Sequence, residues 1–406
     1  MSTPSLSSFA PLAPSRFVKI AILVKQPQNT RIMPDTQPLT ITLPPLRITL
    51  TEQQQVNLEW LTQNLQNLLT PSKQEVPDNL KQWVAANKLL NQPDAEIIQA
   101  LVSSGIDAET ATAEVREISS HPYFQAGSQY VQLLQKLESH LRINNQLAAL
   151  SSKFGTIERK SSLSREYFLE NYYAKNTPVI ITNIMHNWKA LQLWTPEYLK
   201  EKYGDAEVQI QANRNSDPNY EIKIENHKRT VFFRKYVDMV VNGGPSNDYY
   251  MVANNQTLER EEFKPLFNDI EIFPEYLNPT DTKGRVFFWF GPKGTITPLH
   301  HDPVNLILAQ VSGRKLIKLI SPQETPLLYN HVGVFSKVDG ENPDYEKYPL
   351  YRDAKIIEVI LEPGEAIFIP VGWWHHVKSL DVSISVSFTN FVFPNYYEWK
   401  YPHINW

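Results

Sequence analysis

Two stretches decide the fold: WFGPKGTITPLHHDPVNLILAQVSGRKLIKLISP (residues 289–322) and EPGEAIFIPVGWWHHVKSLDVSISVSF (residues 362–388). Each is a series of short apolar runs cut by turn-forming clusters. NLILAQV, KLIKLIS, EAIFIP and SISVSFTNF are separated by GPKG, EPGE and PVG, with RVFFWFG before them and KIIEVIL between them. Many short strands at this spacing predict a β-sandwich or barrel. Working upstream, EVQIQA, YEIKI and YYMVA continue the strand pattern. Earlier still, PVIITNI reads as a strand flanked by the helices SLSREYFLENYYA and TPEYLKEKYG. Residues 154–395 are therefore expected to form an α+β domain with a dominant β core.

The chain before this block has another texture. Residues 1–45 are rich in Pro, Ser and Thr and are expected to be a flexible or partly stranded arm. Residues 46–153 read as a small α-helical domain. Thr51 and Gln54 resemble a capping box ahead of Val56, Leu58, Leu61, Leu65 and Leu68, which mark one face of a helix. NLKQWVAANKLLN and AEIIQALVSSG follow, the second with Gly105 as its stop. AETATAEVREISS begins behind Asp107, and YVQLLQKLESHLRINNQLAALS closes the set. Residues 396–406 form a tail rich in Tyr and Trp.

Composition narrows the chemistry. The chain has 406 residues and no cysteine, which excludes disulfides, thiolate catalysis and cysteine-ligated metal. Any metal must sit on His, Asp, Glu or backbone oxygen. A formal charge of −4, from 39 basic and 43 acidic residues, argues against a general polyanion binder, and no nucleic acid is expected as partner. No apolar run approaches the roughly 20 residues that span a bilayer, and the leader does not read as a secretory signal. The expected location is cytoplasmic.

The sharpest local feature is His300-x-Asp302. On an extended strand residues i and i+2 share a face, so an imidazole and a carboxylate would project together. A further imidazole, in FIPVGWWHHV, lies on the far side of the β-rich block. Two imidazoles and one carboxylate compose the facial triad of non-haem iron(II) oxygenases, although zinc or manganese accepts the same ligands. Alone, H-x-D is weak, because a His beside an Asp is more often a solvated pair. Lys315, between the two segments, could hold the far carboxylate of a bound 2-oxo acid. Lys318 is its competitor, and Arg314 has the opposite alternation.

These segments, with VDGENPDYEKYP (338–349) and the entry PVIITNIMHNWKALQLWTPEYL, closely resemble Jumonji-C oxygenases, in particular the protein-hydroxylase branch. The resemblance covers roughly residues 155–393. It implies a double-stranded β-helix, the jelly-roll or cupin core, with iron(II), 2-oxoglutarate and dioxygen as the reacting groups. His300, Asp302 and His375 match the metal ligands and catalytic centre. Lys315 and Thr297 match residues that bind the distal carboxylate of 2-oxoglutarate. Tyr250 matches a phenol reaching the cosubstrate, with Tyr249 as a rival, and Trp289 matches an aromatic wall. Relatives often carry Asn four residues after the ligand Asp. Here that position is Leu306, and Asn305 comes one residue early, serving from a shifted strand or leaving the contact absent. Ser387 also stands where some relatives carry Asn.

The resemblance implies a dioxygenase that hydroxylates a side chain in a protein or peptide, releasing succinate and CO2. Alternatives with the same centre are N-methyl-lysine demethylation and oxidation of a small molecule or RNA base. From another class comes a non-catalytic cupin binding module. The expected partner is a protein or peptide substrate, with no membrane, and a homodimer is one option for assembly.

Overall fold

The computed structural model describes residue 60, residues 74–252 and residues 256–400. The expected N-terminal arm and the helix proposed behind Thr51 lie outside these, apart from Trp60. Contacts divide the chain into two compact units, at Leu137 and Glu138.

In the first unit, helices α1 (Asp78–Leu89), α2 (Asp94–Ser103) and α3 (Ala108–Ile118) follow one another through tight turns. Pro77 and Pro93 precede the first two. Asp107 caps α3 by accepting from the Thr110 amide at 2.9 Å, which satisfies one of the free N–H groups of the first turn. Leu80, Trp83, Val84, Ile97, Leu101, Ala111 and Val115 close a small core. Helix α4 (Pro122–Ala148) begins here and runs into the second unit. It buries none of its residues, and Tyr130, Leu133, Leu134 and Leu137 stand exposed.

The second unit holds the strands β1 (Glu158–Lys160), β2 (Val179–Ile181), β3 (Glu207–Ala212), β4 (Lys228–Phe232), β5 (Tyr249–Tyr250), β6 (Val286–Gly291), β7 (Ile296–His301), β8 (Leu306–Ser312), β9 (Lys315–Ile320), β10 (Asn330–Val332), β11 (Phe335–Ser336), β12 (Ile357–Leu361), β13 (Ala366–Ile369), β14 (Trp374–Ser379) and β15 (Ser383–Phe388). Two six-stranded sheets form the jelly-roll, in the orders β1-β2-β13-β8-β15-β6 and β10-β11-β7-β14-β9-β12. Ile180, Leu308, Ile367 and Ile369 of the first sheet meet Ile317, Leu319 and Val377 of the second between them. On the outer face of the first sheet, Phe288, Phe290, Phe368 and Phe388 pack against helix-borne Phe168, Leu199 and Tyr236 and against Trp194, which follows the short helix Ala190–Leu193. The fold is thus α+β, a jelly-roll with flanking helices and an N-terminal helical region.

Alternation failed at YEIKI. Residues 220–223 form turns and Ile224–His227 one helical turn, and the strand begins only at Lys228. Local polar bonds outweigh the apolar alternation there. Asp217 accepts from the Asn219 amide at 2.9 Å and from Lys223 Nζ at 2.9 Å. Glu221 is drawn onto buried Arg214 at 3.0 Å. SLSREYFLENYYA is helical as expected, but splits into Arg165–Phe168 and a wider π-turn over Leu169–Tyr173.

Candidate metal centre and cosubstrate pocket

The second sheet positions the site through its register. Cross-strand partners share a face, so β14 opposite β9 sets three levels on the inner face: His375 opposite Leu319, Val377 opposite Ile317, and Ser379 opposite Lys315. On the other side of β14, His300 stands opposite His375 and Thr297 opposite Val377. His300 and Thr297 are three residues apart and would face opposite ways on a regular strand. A bulge in the pairing between these two points restores them to one face. Adjacent imidazoles thus occupy the top level, a hydroxyl the next and a lysine the lowest. His375 and Ser379 lie four residues apart, about 13 Å along the strand.

At the top, ligand atoms of His300, Asp302 and His375 lie within 4.8 Å of one another. His375 Nε2 is 3.6 Å from Asp302 Oδ2, and His300 Nε2 is 4.0 Å from Oδ1. Each ring is oriented by a backbone carbonyl. His300 Nδ1 lies 2.8 Å from Pro298 O and His375 Nδ1 lies 3.0 Å from Trp373 O. A carbonyl can only accept, so in the neutral rings Nδ1 carries the proton and Nε2 presents its lone pair toward the carboxylate. Burial holds His375 well below the ordinary imidazole value, with His300 adding to the effect. Burial raises the Asp302 carboxyl, opposed by His300 and His301. Asp302 is not on the strand, since β7 ends at His301 and Asp302 is the first residue beyond.

At the lowest level Lys315 is 2% exposed, and burial alone pulls its ammonium down to about 7. Its Nζ donates to the Tyr250 hydroxyl at 3.2 Å and lies 5.8 Å from the Trp289 ring. Among the described residues no carboxylate pairs with it. Tyr249 is elsewhere, donating to Met239 O at 2.7 Å. Trp289 Nε1 donates to Ser387 Oγ at 2.8 Å. Thr295 Oγ1 donates to Ser379 Oγ at 2.8 Å in the same buried layer. Lys318 and Arg314 are directed away, onto Gly340 O and Asp381.

Asn305 does not join this cluster. Its Oδ1 accepts from the Val371 amide at 2.8 Å, and its Nδ2 donates to Asn395 Oδ1 and the Tyr397 hydroxyl, both at 3.0 Å. Leu306 is the residue that packs with the interior apolar cluster. Tyr172, Tyr173, Phe288 and Phe290 belong to the core outside the first sheet. His301 and His376 alternate to the outer face. His301 lies 4.7 Å from the Trp374 ring, and His376 packs under Gly340.

Sequence reasoning missed Ser379 and Arg214. Ser379 was within reach, because it shares the parity of His375 and Val377. Arg214 lies in an irregular loop with no periodic signal. Its guanidinium donates to Glu221, to Asn247 Oδ1 at 3.1 Å and to Ile296 O at 2.6 Å. It also lies 5.4 Å from the Tyr250 ring, so it supports the wall of the pocket.

A divalent ion needs the nitrogen and carboxylate donors found here, and the N2O set is the one iron(II) oxygenases use. The buried, uncompensated cation at Lys315 suits the far carboxylate of 2-oxoglutarate. Both groups fit the residues present.

The cupin-like domain signature matches residues 164–391. The chain is 36% identical over 255 residues to JmjC domain-containing protein D of Dictyostelium discoideum, covering 57% of this chain and 54% of the relative. It is 34% identical over 233 residues to lysine-specific demethylase 8 of Xenopus tropicalis, covering 55% and 50%. It is 30% identical over 239 residues to tRNA wybutosine-synthesizing protein 5 of Gallus gallus, covering 55% and 74%. The chain spans about half the length of the first two relatives. With the jelly-roll and the His-Asp-His cluster, these matches place the chain in the cupin-like domain family, among its Jumonji-C members.

Proposed function

We propose that the chain is an iron(II)- and 2-oxoglutarate-dependent dioxygenase that hydroxylates a side chain in a protein or peptide. The observation that carries the reading is one inner strip of the jelly-roll. It bears His300 and His375 at one end, with Asp302 just beyond, and at the other a buried lysine that no carboxylate pairs with among the described residues. Bound iron(II) with 2-oxoglutarate and dioxygen supplies an oxidative decarboxylation that yields succinate and CO2 and places one oxygen atom in a substrate C–H bond.

The chain's own residues bind, orient and exclude water. His300, Asp302 and His375 hold the ion. Lys315 holds the distal carboxylate with a charge-assisted bond, Tyr250 braces the ammonium, and the Thr297 hydroxyl, which the register puts opposite Val377, is assigned to the same carboxylate. Ile317, Leu319, Leu308, Leu306 and Trp289 form the apolar surround that keeps water from the pocket. The Asp302 side chain is 30% exposed, which supports an approach of substrate from that side.

The test is turnover of 2-oxoglutarate by iron-loaded protein with a peptide panel. Succinate formed in step with a peptide gaining one oxygen supports the proposal. Absence of succinate under every condition would favour the non-catalytic binding module. A second reading, N-methyl-lysine demethylation, is favoured by relatives named as lysine-specific demethylases. It uses the same centre and differs in releasing formaldehyde.

A further inference from the structure

Asp302 sits beyond the end of β7, where no sheet ladder holds it, and His375 follows a turn at residues 370–373. His375 and His300 are held opposite each other by the β14–β7 ladder, so Asp302 is the one ligand that needs a further brace, against the turn that leads into His375. We propose that Asn305, clamped by the C-terminal segment 394–400, is the positioning residue that sets Asp302 against His375. The proposal rests on the metal-centre reading above.

Asn305 is 1% exposed, and its side chain is used at both ends. Toward the His375 loop, its Oδ1 accepts from Val371 N at 2.8 Å. Toward the C-terminal segment, Asn395 Oδ1 accepts from both Asn305 N at 2.8 Å and Asn305 Nδ2 at 3.0 Å. Asn395 Nδ2 in turn donates to Asn305 O at 3.0 Å and Thr389 O at 2.9 Å. The two asparagines thus close a ring of bonds around a buried loop backbone.

The segment makes two further attachments to the Asp302 loop. Trp399 Nε1 donates to Pro303 O at 3.1 Å, and the Trp399 ring lies 4.8 Å from the His301 ring. It also covers Gly372 of the His375 loop, where an added Cβ would meet Trp399 at 3.4 Å and φ is +79°. The Gly372 amide donates to Asp302 O at 3.0 Å, so the two loops also touch directly at the ligand's own backbone. On the far side, Asn176 Nδ2 donates to Val371 O at 2.9 Å, and Trp373 Nε1 donates to Asn176 O at 2.8 Å. The His375 loop is therefore held from one side by Asn176 and from the other by Asn305. Asn305 links the Asp302 loop, the His375 loop and the C-terminal segment by hydrogen bonds from one side chain. Outer partners of metal ligands commonly change metal affinity about 10–100-fold when removed.

The experiment is a titration of the full-length protein with Co(II), read by affinity and by the visible absorption bands of the bound ion, with thermal unfolding in parallel. Asn305→Ala and Asn395→Ala are each expected to weaken Co(II) about 10–100-fold and to alter the bands. The double variant is expected to be no weaker than the worse single, because both remove one linkage. A purely structural role would lower the melting temperature while leaving affinity and bands as in wild type, and that result overturns the proposal. If Asn305→Ala does not fold, Trp399→Phe decides. It removes one N–H from Pro303 O while keeping a ring over His301, and the expected result is a severalfold weaker Co(II) affinity. Wild-type affinity in Trp399→Phe would then overturn the proposal. Absence of Co(II) uptake by the wild-type chain is a different failure: it removes the metal centre itself, and this proposal with it.

Discussion

Lys315 offers the most quantitative handle on the pocket. Its ammonium is buried with no carboxylate against it among the described residues, and burial brings it from 10.5 to about 7. At about 1.4 kcal/mol for each pH unit, that depression amounts to about 5 kcal/mol of cost to the charged form in the empty pocket. The protonated form is the one that binds a carboxylate. Below about pH 7 the lysine is already charged, and 2-oxoglutarate affinity should be flat. Above it, each pH unit removes about tenfold of the competent form, so affinity should fall about fiftyfold between about pH 7 and about pH 9. Binding at the upper end should take up close to one proton. The assay is calorimetry of 2-oxoglutarate binding to Co(II)-loaded protein in buffers of differing ionisation enthalpy. The same cost gives a stability prediction. The folded value lies below the unfolded one, so this group destabilises the free protein below about pH 7, and the penalty fades as pH rises toward the unfolded value. Lys315→Met should therefore raise the melting temperature at neutral pH while abolishing 2-oxoglutarate binding. Constant affinity across the range without proton uptake, or a destabilised Lys315→Met, would refute the reasoning.

Two further outcomes follow from the same geometry. Thr297→Val keeps the shape and removes the hydroxyl, and should weaken 2-oxoglutarate about tenfold, on the order of 1.4 kcal/mol, with metal affinity unchanged, as read by the same calorimetry. Arg214→Met leaves Glu221 without its buried partner and should cost about 3–5 kcal/mol in denaturant unfolding, most of it recovered by adding Glu221→Leu; an undiminished midpoint in the single variant would contradict the assigned ion pair.

A sandwich or barrel of β-strands was legible because the strands are short apolar runs between Gly- and Pro-containing turns, and the resemblance to Jumonji-C oxygenases narrowed it to a jelly-roll. The helix behind Asp107 was legible because its cap is local. YEIKI was misread because alternation carries no record of long-range or side-chain bonds, and here Asp217 and the Arg214–Glu221 pair win. The levels of the pocket were only partly legible. Parity along β14 links His375 with Ser379, but parity along β7 separates His300 from Thr297, and only the bulge brings them to one face. Asn305 could not be read locally at all. Its partners lie 66, 90 and 92 residues away, in a turn and a C-terminal segment without periodicity. Lys315 was singled out by its place between the two His-bearing segments, whereas its lack of a counter-ion is a property of the folded interior alone.

The central claim is that His300, Asp302 and His375 share one ion. Equilibrium titration of the metal-free protein with Co(II), in wild type and in Asp302→Ala and His375→Ala, tests it most directly. The account predicts one ion per wild-type chain, with uptake lost in both variants while each unfolds cooperatively near the wild-type temperature. Undiminished binding in either folded variant, or no binding by the wild-type chain, would contradict it.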